Sequence, residues 1–143
     1  MEPAGETRVA IAPSSMKKLL KAGFEVLIEK DAGKSSNNLD SDYESAGAKI
    51  ATRAEVLSCE TIISIRFPGI EGISKGSRVA CVADPFRNPE HVKSCIDAGI
   101  TLLSMDMIPR RLSRAQSMDV NSSQDNLAGY KAVLLGAAHV PKG

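Results

Sequence analysis

Tryptophan is absent from the 143 residues and aromatic side chains make up only 3% of them, which disfavours a base-stacking platform for single-stranded nucleic acid. Charge of one sign is lacking too. Eighteen Lys and Arg against seventeen Asp and Glu leave a formal net charge of +1, and the basic residues are spread along the chain, so nucleic acid is not an expected partner. No apolar run approaches the roughly 20 residues of a membrane-spanning helix, and the N-terminus carries no signal-type apolar region. A membrane role is therefore expected only through partners. Cys59, Cys81 and Cys95 are odd in number, form no close pair and fall in apolar contexts, as reduced core residues of a cytosolic protein do. His91 and His139 stand far apart, each alone, which supplies no metal set; both are expected on exposed helix faces. A G-x-G-x-x-G fingerprint, an internal repeat and a low-complexity tract are all missing.

What is present suits one globular domain: 43% of the residues are hydrophobic and 24% charged. Pro13 suits the first turn of a helix in which Met16, Leu19 and Leu20 recur at helical spacing, and Gly23 ends it. An apolar strand follows over residues 24–29. Residues 31–38 are rich in Gly, Ser and Asn and read as a surface loop or, less in keeping with their spacing, a phosphate cradle. Asp40 is expected to cap a short helix ending at Gly47, and residues 48–51 a brief strand. Thr52 and Glu55 have the spacing of a capping box. β-branched residues 61–65 predict a buried parallel strand with Arg66 at its end, either an anion contact or a surface arginine. Residues 78–83 and 100–105 predict further strands around a helix that Asn88 caps, Pro89 opens and Gly99 closes, with Val92, Cys95 and Ile96 on its buried face. Beyond Pro109 a long helix shows Leu127, Tyr130, Leu134 and Ala137 or Ala138 on one stripe, and Pro141 ends it. Alternating strands and helices predict an α/β domain with a three-layer parallel sheet, Rossmann-like or flavodoxin-like.

The chemistry concentrates between Pro109 and that helix. Arg110, Arg111 and Arg114 offer forked donors, while Gln116 and Asp119 add an amide and a carboxylate. Serines stand among them, and the loop leads toward a helix N-terminus, whose free N–H groups attract anions and carbonyl oxygens. The plain alternative is a solvated connection with a cap. No nucleophile–base pair is present in the loop, so the chemistry implied is positioning.

Several phrases carry a family resemblance: Glu6-Thr7-Arg8-Val9-Ala10, the segment from Asp42 to Ala48, Asp84-Pro85-Phe86-Arg87-Asn88-Pro89-Glu90, and above all Ser113 to Asp119 with Leu127 to Val133. Together they resemble the alpha subunit of the proton-translocating NAD(P) transhydrogenases, within the alanine dehydrogenase/transhydrogenase N-terminal domain family, over essentially the whole chain. The first phrase is shared with alanine dehydrogenases; the last is specific to transhydrogenases. The resemblance implies a soluble region of two Rossmann-like lobes with NAD(H) between them. Residues 1–143 would form the first lobe, and the glycine-rich lobe that grips the pyrophosphate is absent. Hydride would pass to NADP(H) on a partner domain, coupled to proton translocation by membrane subunits. The alpha region would be a homodimer, on the cytoplasmic or matrix side and peripheral to the membrane complex.

Carried over by position, Arg111 or its neighbour Arg110 would approach the nicotinamide, Gln116 would hydrogen-bond there, and Asp119 and Ser122 would fix the carboxamide, with Ser117 and Met118 in the same loop. A carboxamide held by a donor and an acceptor at once cannot rotate out of alignment. The chain departs from the family in several places. It starts at Met1-Glu2-Pro3 without the usual first strand, which is expected to leave a strand edge unpaired. Ser64 stands where a lysine is common, Asn121 replaces an apolar residue and Asp125 a small or apolar one. The chain alone is expected to bind NAD(H) weakly and to be inactive. Competing readings are a non-catalytic flavodoxin-like interaction module and, ranked last, an alanine dehydrogenase-type fragment, whose pyruvate-binding lysine and histidine have no counterpart here.

Overall fold

The computed structural model describes Glu2 and residues 5–140. The chain divides into two compact units, Met1–Ser104 and Met105–Gly143. In the first, α1 (Pro13–Lys21) opens on Pro13, whose missing N–H is no loss in a first turn, and places Met16 in full burial. Next come β1 (Leu27–Glu29), α2 (Asp40–Ser45), β2 (Lys49–Ala51) and α3 (Arg53–Leu57). Thr52 and Glu55 form the capping box that their spacing predicts: Thr52 N–H donates to Glu55 at 2.7 Å, and Glu55 N–H donates to the Thr52 hydroxyl at 3.4 Å. β3 (Thr61–Arg66), β4 (Arg78–Val82), α4 (Pro89–Ala98) and β5 (Thr101–Ser104) complete the unit. Gly99 ends α4 in the left-handed conformation, φ 67°, which glycine adopts without penalty.

The architecture is α/β with parallel strands, as the sequence predicts, but the strands fall into two sheets, β1–β2 and β3–β4–β5. Each sheet has its own core. Met16, Ile28, Tyr43 and Ala48 bury together beside β1–β2. Ile62, Val79, Cys81, Cys95 and Ile100 do so around β3–β4–β5. Cys81 and Cys95 are buried and form no disulfide, and apolar surroundings push the Cys95 thiol up.

Several local expectations are corrected. Asp40 is the first residue of α2 and not its cap; its carboxylate accepts Asp31 N–H at 3.0 Å, closing the Gly/Ser/Asn loop, while Asp42 accepts Leu39 N–H at 2.8 Å. That loop is a compact turn: a Cβ on Gly33 would lie 2.6 Å from the Asn38 carbonyl oxygen. The Asn88 side chain donates back to the Asp84 carbonyl, leaving α4 without a side-chain cap. Ile96 is 70% exposed. His91 is half-buried, stacked on Phe67 at 4.3 Å between centroids, with Nδ1 3.0 Å from the Ala83 carbonyl oxygen.

The N-terminal acids tie to the end of β3. The Glu6 carboxylate takes two bonds from the Arg8 guanidinium, at 2.7 and 2.6 Å, and a third from Arg66 at 3.3 Å. Glu2 accepts the N–H groups of Ile65 and Arg66 at 2.6 and 3.0 Å. Hydrogen bonding from Arg8 holds the Glu6 carboxyl at about 2, against an ordinary 4.5, although burial opposes this.

Tyr43 is fully buried and its hydroxyl donates to the Ile11 carbonyl at 2.8 Å. Tyr43→Phe is expected to lower urea-denaturation stability by about 1–2 kcal/mol, because the carbonyl loses its partner; an unchanged midpoint contradicts the assignment. Because the folded pKa of Glu6 lies below the unfolded value, its stabilisation is complete above pH 4.5 and is lost as the pH falls toward about 2. Glu6→Gln is expected to cost on the order of 1–2 kcal/mol at neutral pH, allowing for the exposure of Arg8, and to flatten the pH dependence of stability across that window.

Candidate functional site

The second unit begins with a 3-10 turn, Met105–Met107, and runs through the arginine loop and a second 3-10 turn, Gln116–Met118, into α5 (Val120–His139). Asp119 starts that helix. With φ −75° and ψ 101° it adopts the extended conformation of an N-cap, and its Oδ1 accepts the N–H groups of Asn121 at 2.9 Å and Ser122 at 3.1 Å. The Ser122 hydroxyl donates to the other oxygen, Oδ2. These bonds, the Ser122 hydroxyl first, pull the Asp119 carboxyl below its usual range and keep it ionised.

Arg110 adds to the arrangement. Its Nε lies 3.9 Å from Asp119 Oδ2, and its Nη2 donates to Asp125 at 3.3 Å. Asp125 therefore engages the loop's own arginine, and Asn121 reaches the Asp106 carbonyl at 3.5 Å. Each of the two side chains has a polar partner within this unit.

Five of the seven candidate residues separate into two sets. Arg110, Asp119 and Ser122 are bound to one another around the start of α5. Arg111 and the Gln116 side chain are exposed and, among the described residues, make no hydrogen bond or ion pair. Ser117 donates its hydroxyl to the Arg114 carbonyl at 3.1 Å, and Met118 is 51% exposed. The expectation that free N–H groups at this helix start attract an anion is corrected. Asp119 already satisfies two of them and brings a negative charge, which favours a neutral or cationic group over a phosphate.

The cap has a sequence signal of its own, distinct from that of a ligand group: an aspartate immediately before a helical run. The Arg110–Asp125 pair spans fifteen residues, a separation at which local spacing gives no hint. α5 itself presents the expected apolar residues, yet none is buried; Leu127, Tyr130 and Val133 are 61%, 68% and 70% exposed. No helix among the described residues is long and apolar enough to cross a membrane, and no group of three or more metal-ligating side chains is present among them.

Residues 2–128 match the family described as alanine dehydrogenase/PNT, N-terminal domain. The chain is 39% identical over 137 residues to the NAD(P) transhydrogenase subunit alpha of Haemophilus influenzae, covering 94% of this chain and 26% of that protein. It is 41% identical over 143 residues to the first part of the NAD(P) transhydrogenase subunit alpha of Rhodospirillum rubrum, covering 93% and 37%. The structure superposes on the crystal structure of a transhydrogenase from Sinorhizobium meliloti with a TM-score of 0.90 at 39% identity, over 99% of this chain and 44% of that one. The chain therefore spans less than half the length of these relatives.

Asp119→Ala is expected to speed amide exchange at Asn121 and Ser122 and to cost about 1 kcal/mol, the usual worth of an N-cap. Unchanged exchange at both amides would show that the carboxylate does not hold the helix start.

Proposed function

The chain belongs to the alanine dehydrogenase/PNT N-terminal domain family, and from that premise we propose that it contributes nicotinamide-side contacts in a transhydrogenase alpha subunit. In this reading the bound cofactor is NAD(H), whose nicotinamide supplies the hydride chemistry, and the acceptor is NADP(H) on a partner domain. A glycine-rich lobe grips the pyrophosphate, and membrane subunits couple the exchange to proton translocation. The alpha region forms a homodimer peripheral to that complex. Identities of 39% and 41% to named transhydrogenase alpha subunits support it.

The observation that carries the reading is the division of the arginine loop into a fixed base and free tips. Arg110, Asp119 and Ser122 lock the start of α5, and the exposed Arg111 and Gln116 are left without side-chain partners among the described residues. A primary amide presents one carbonyl acceptor and two N–H donors. Gln116 matches it with one acceptor and two donors of its own, and Arg111 can add a donor to the carbonyl. Met118 offers apolar surface to a ring edge. The same set fits a diphosphate poorly, because Asp119 and Asp125 lie in it and its helix start is capped. Asp119 and Ser122 therefore act as positioning residues: they fix the backbone from which Gln116 and Arg111 reach the carboxamide. The work of this chain is orientation, which suits hydride transfer between two rings that must meet face to face. Affinity is low because the phosphate contacts belong to another lobe.

NADH titrated to millimolar concentration is expected to shift amide resonances confined to residues 110–122. Arg111→Ala or Gln116→Ala should weaken that binding about tenfold, the loss of one good hydrogen bond to a polar ligand, with the Asn121 and Ser122 amides still protected. Absence of any shift at millimolar NADH would favour an interaction module, and NADH-dependent reduction of an NADP analogue by the chain alone would contradict the positioning role.

A further inference from the structure

Between Pro109 and Asp125 lie Ser113, Ser117, Ser122 and Ser123, and three of the four use their hydroxyls inside the unit. Ser117 donates to the Arg114 carbonyl at 3.1 Å, Ser122 to Asp119, and Ser123 to the Val120 carbonyl at 3.3 Å. Ser113 differs. It is exposed, and among the described residues its hydroxyl has no partner. Arg110 and Arg111 stand three and two residues before it, and Arg114 follows it directly. We propose that Ser113 is a phosphorylation site, the target of a protein kinase that selects arginines ahead of its serine, and that the phosphate disables the cofactor loop. The second part of this inference rests on the nicotinamide reading; the first does not.

A kinase needs a hydroxyl that is reachable and not already engaged, on backbone that can be drawn into its cleft. Ser113 lies outside every helix and strand, on the turn that the Ala115 N–H closes onto the Leu112 carbonyl at 2.9 Å. Opening that turn breaks no core element. In the transfer, the bond between the γ-phosphorus of ATP and the oxygen of the departing ADP breaks and a bond to Ser113 Oγ forms. The hydroxyl proton passes to the carboxylate base of the kinase. The product carries roughly −1.5 to −2 charges at neutral pH and three strong acceptor oxygens. Arg110 already faces Asp119 at 3.9 Å and Asp125 at 3.3 Å, whereas Arg111 and Arg114 are exposed and have no acid beside them among the described residues. The phosphate therefore takes Arg111 and Arg114 as charge-assisted partners, one on each side of it in the chain. Arg111 is withdrawn from the carboxamide, and the new dianion repels the diphosphate of a dinucleotide. The bonds of Asp119 to Asn121 and Ser122 stay in place, so the loop keeps its base and loses a tip.

The test treats the full chain with ATP, Mg²⁺ and the catalytic subunit of a cyclic-AMP-dependent protein kinase, which selects arginines ahead of serine, and maps the product by mass spectrometry. The expected result is one phosphoryl group on Ser113 and none in Ser113→Ala. In the phosphorylated chain the Nε–H resonances of Arg111 and Arg114 should shift, with the Asn121 and Ser122 amides still protected. NADH should bind it about tenfold or more weakly, whereas Ser113→Ala given the same treatment should bind NADH as the untreated chain does. No incorporation, incorporation at Ser117, Ser122 or Ser123 instead, unmoved arginine resonances, or unchanged NADH affinity would each overturn the proposal. Absence of NADH binding by the untreated chain would sink the nicotinamide reading instead, and the mapping and the arginine resonances would then judge the modification site by themselves.

Discussion

The constraint on which the second unit depends is the carboxylate of Asp119. A helix start leaves N–H groups that must find acceptors, and a loop that must present side chains to a ligand needs a rigid backbone beneath them. One aspartate meets both needs: it receives two helix N–H groups and the Ser122 hydroxyl, and it faces the Arg110 guanidinium. Its acceptor capacity is largely used within the protein, and among the described residues the loop side chains of Arg111, Arg114 and Gln116 are exposed and without a polar partner.

In the first unit the analogous constraint is the satisfaction of parallel strands. Two short parallel ladders each carry a core, one around Tyr43 and Met16, the other around Val79 and Cys81. The acids of the N-terminal segment tie to the end of β3: Glu2 accepts backbone N–H groups there, and Glu6 joins Arg8 to Arg66. These interactions link the phrase around Glu6 to the carboxyl end of β3.

Some local signals in the sequence translate directly into structure, whereas the side-chain caps expected at Asp40 and Asn88 do not form. Pro13 opens a helix, Thr52 and Glu55 form a capping box, and Gly99 closes α4, since each depends on residues within a few positions. The α/β class follows from the alternation of short β-branched runs with helices, and the family from the phrases around Ser113–Asp119. What is not legible there is long-range. Nothing near His91 announces that Phe67 will stack on it, and helical periodicity places Ile96 on a buried face although it is largely exposed. At α5 periodicity identifies the apolar residues correctly, but burial also requires something to cover them, and no covering element is encoded in the pattern itself. Asp119 is legible as a ligand group and equally as a cap; the structure shows the cap.

A dinucleotide is long, and a protein can hold its two ends with separate regions. The central claim is that this chain addresses the nicotinamide end through a preorganised amide-binding loop and leaves the phosphates to another region. Saturation-transfer NMR on NADH in the presence of the chain tests it most directly, because it reports which end of the cofactor touches protein. The account predicts stronger transfer to the nicotinamide ring protons than to the adenine protons, and a loss of that difference in Gln116→Ala. Transfer strongest at adenine, with the nicotinamide unaffected, would contradict it.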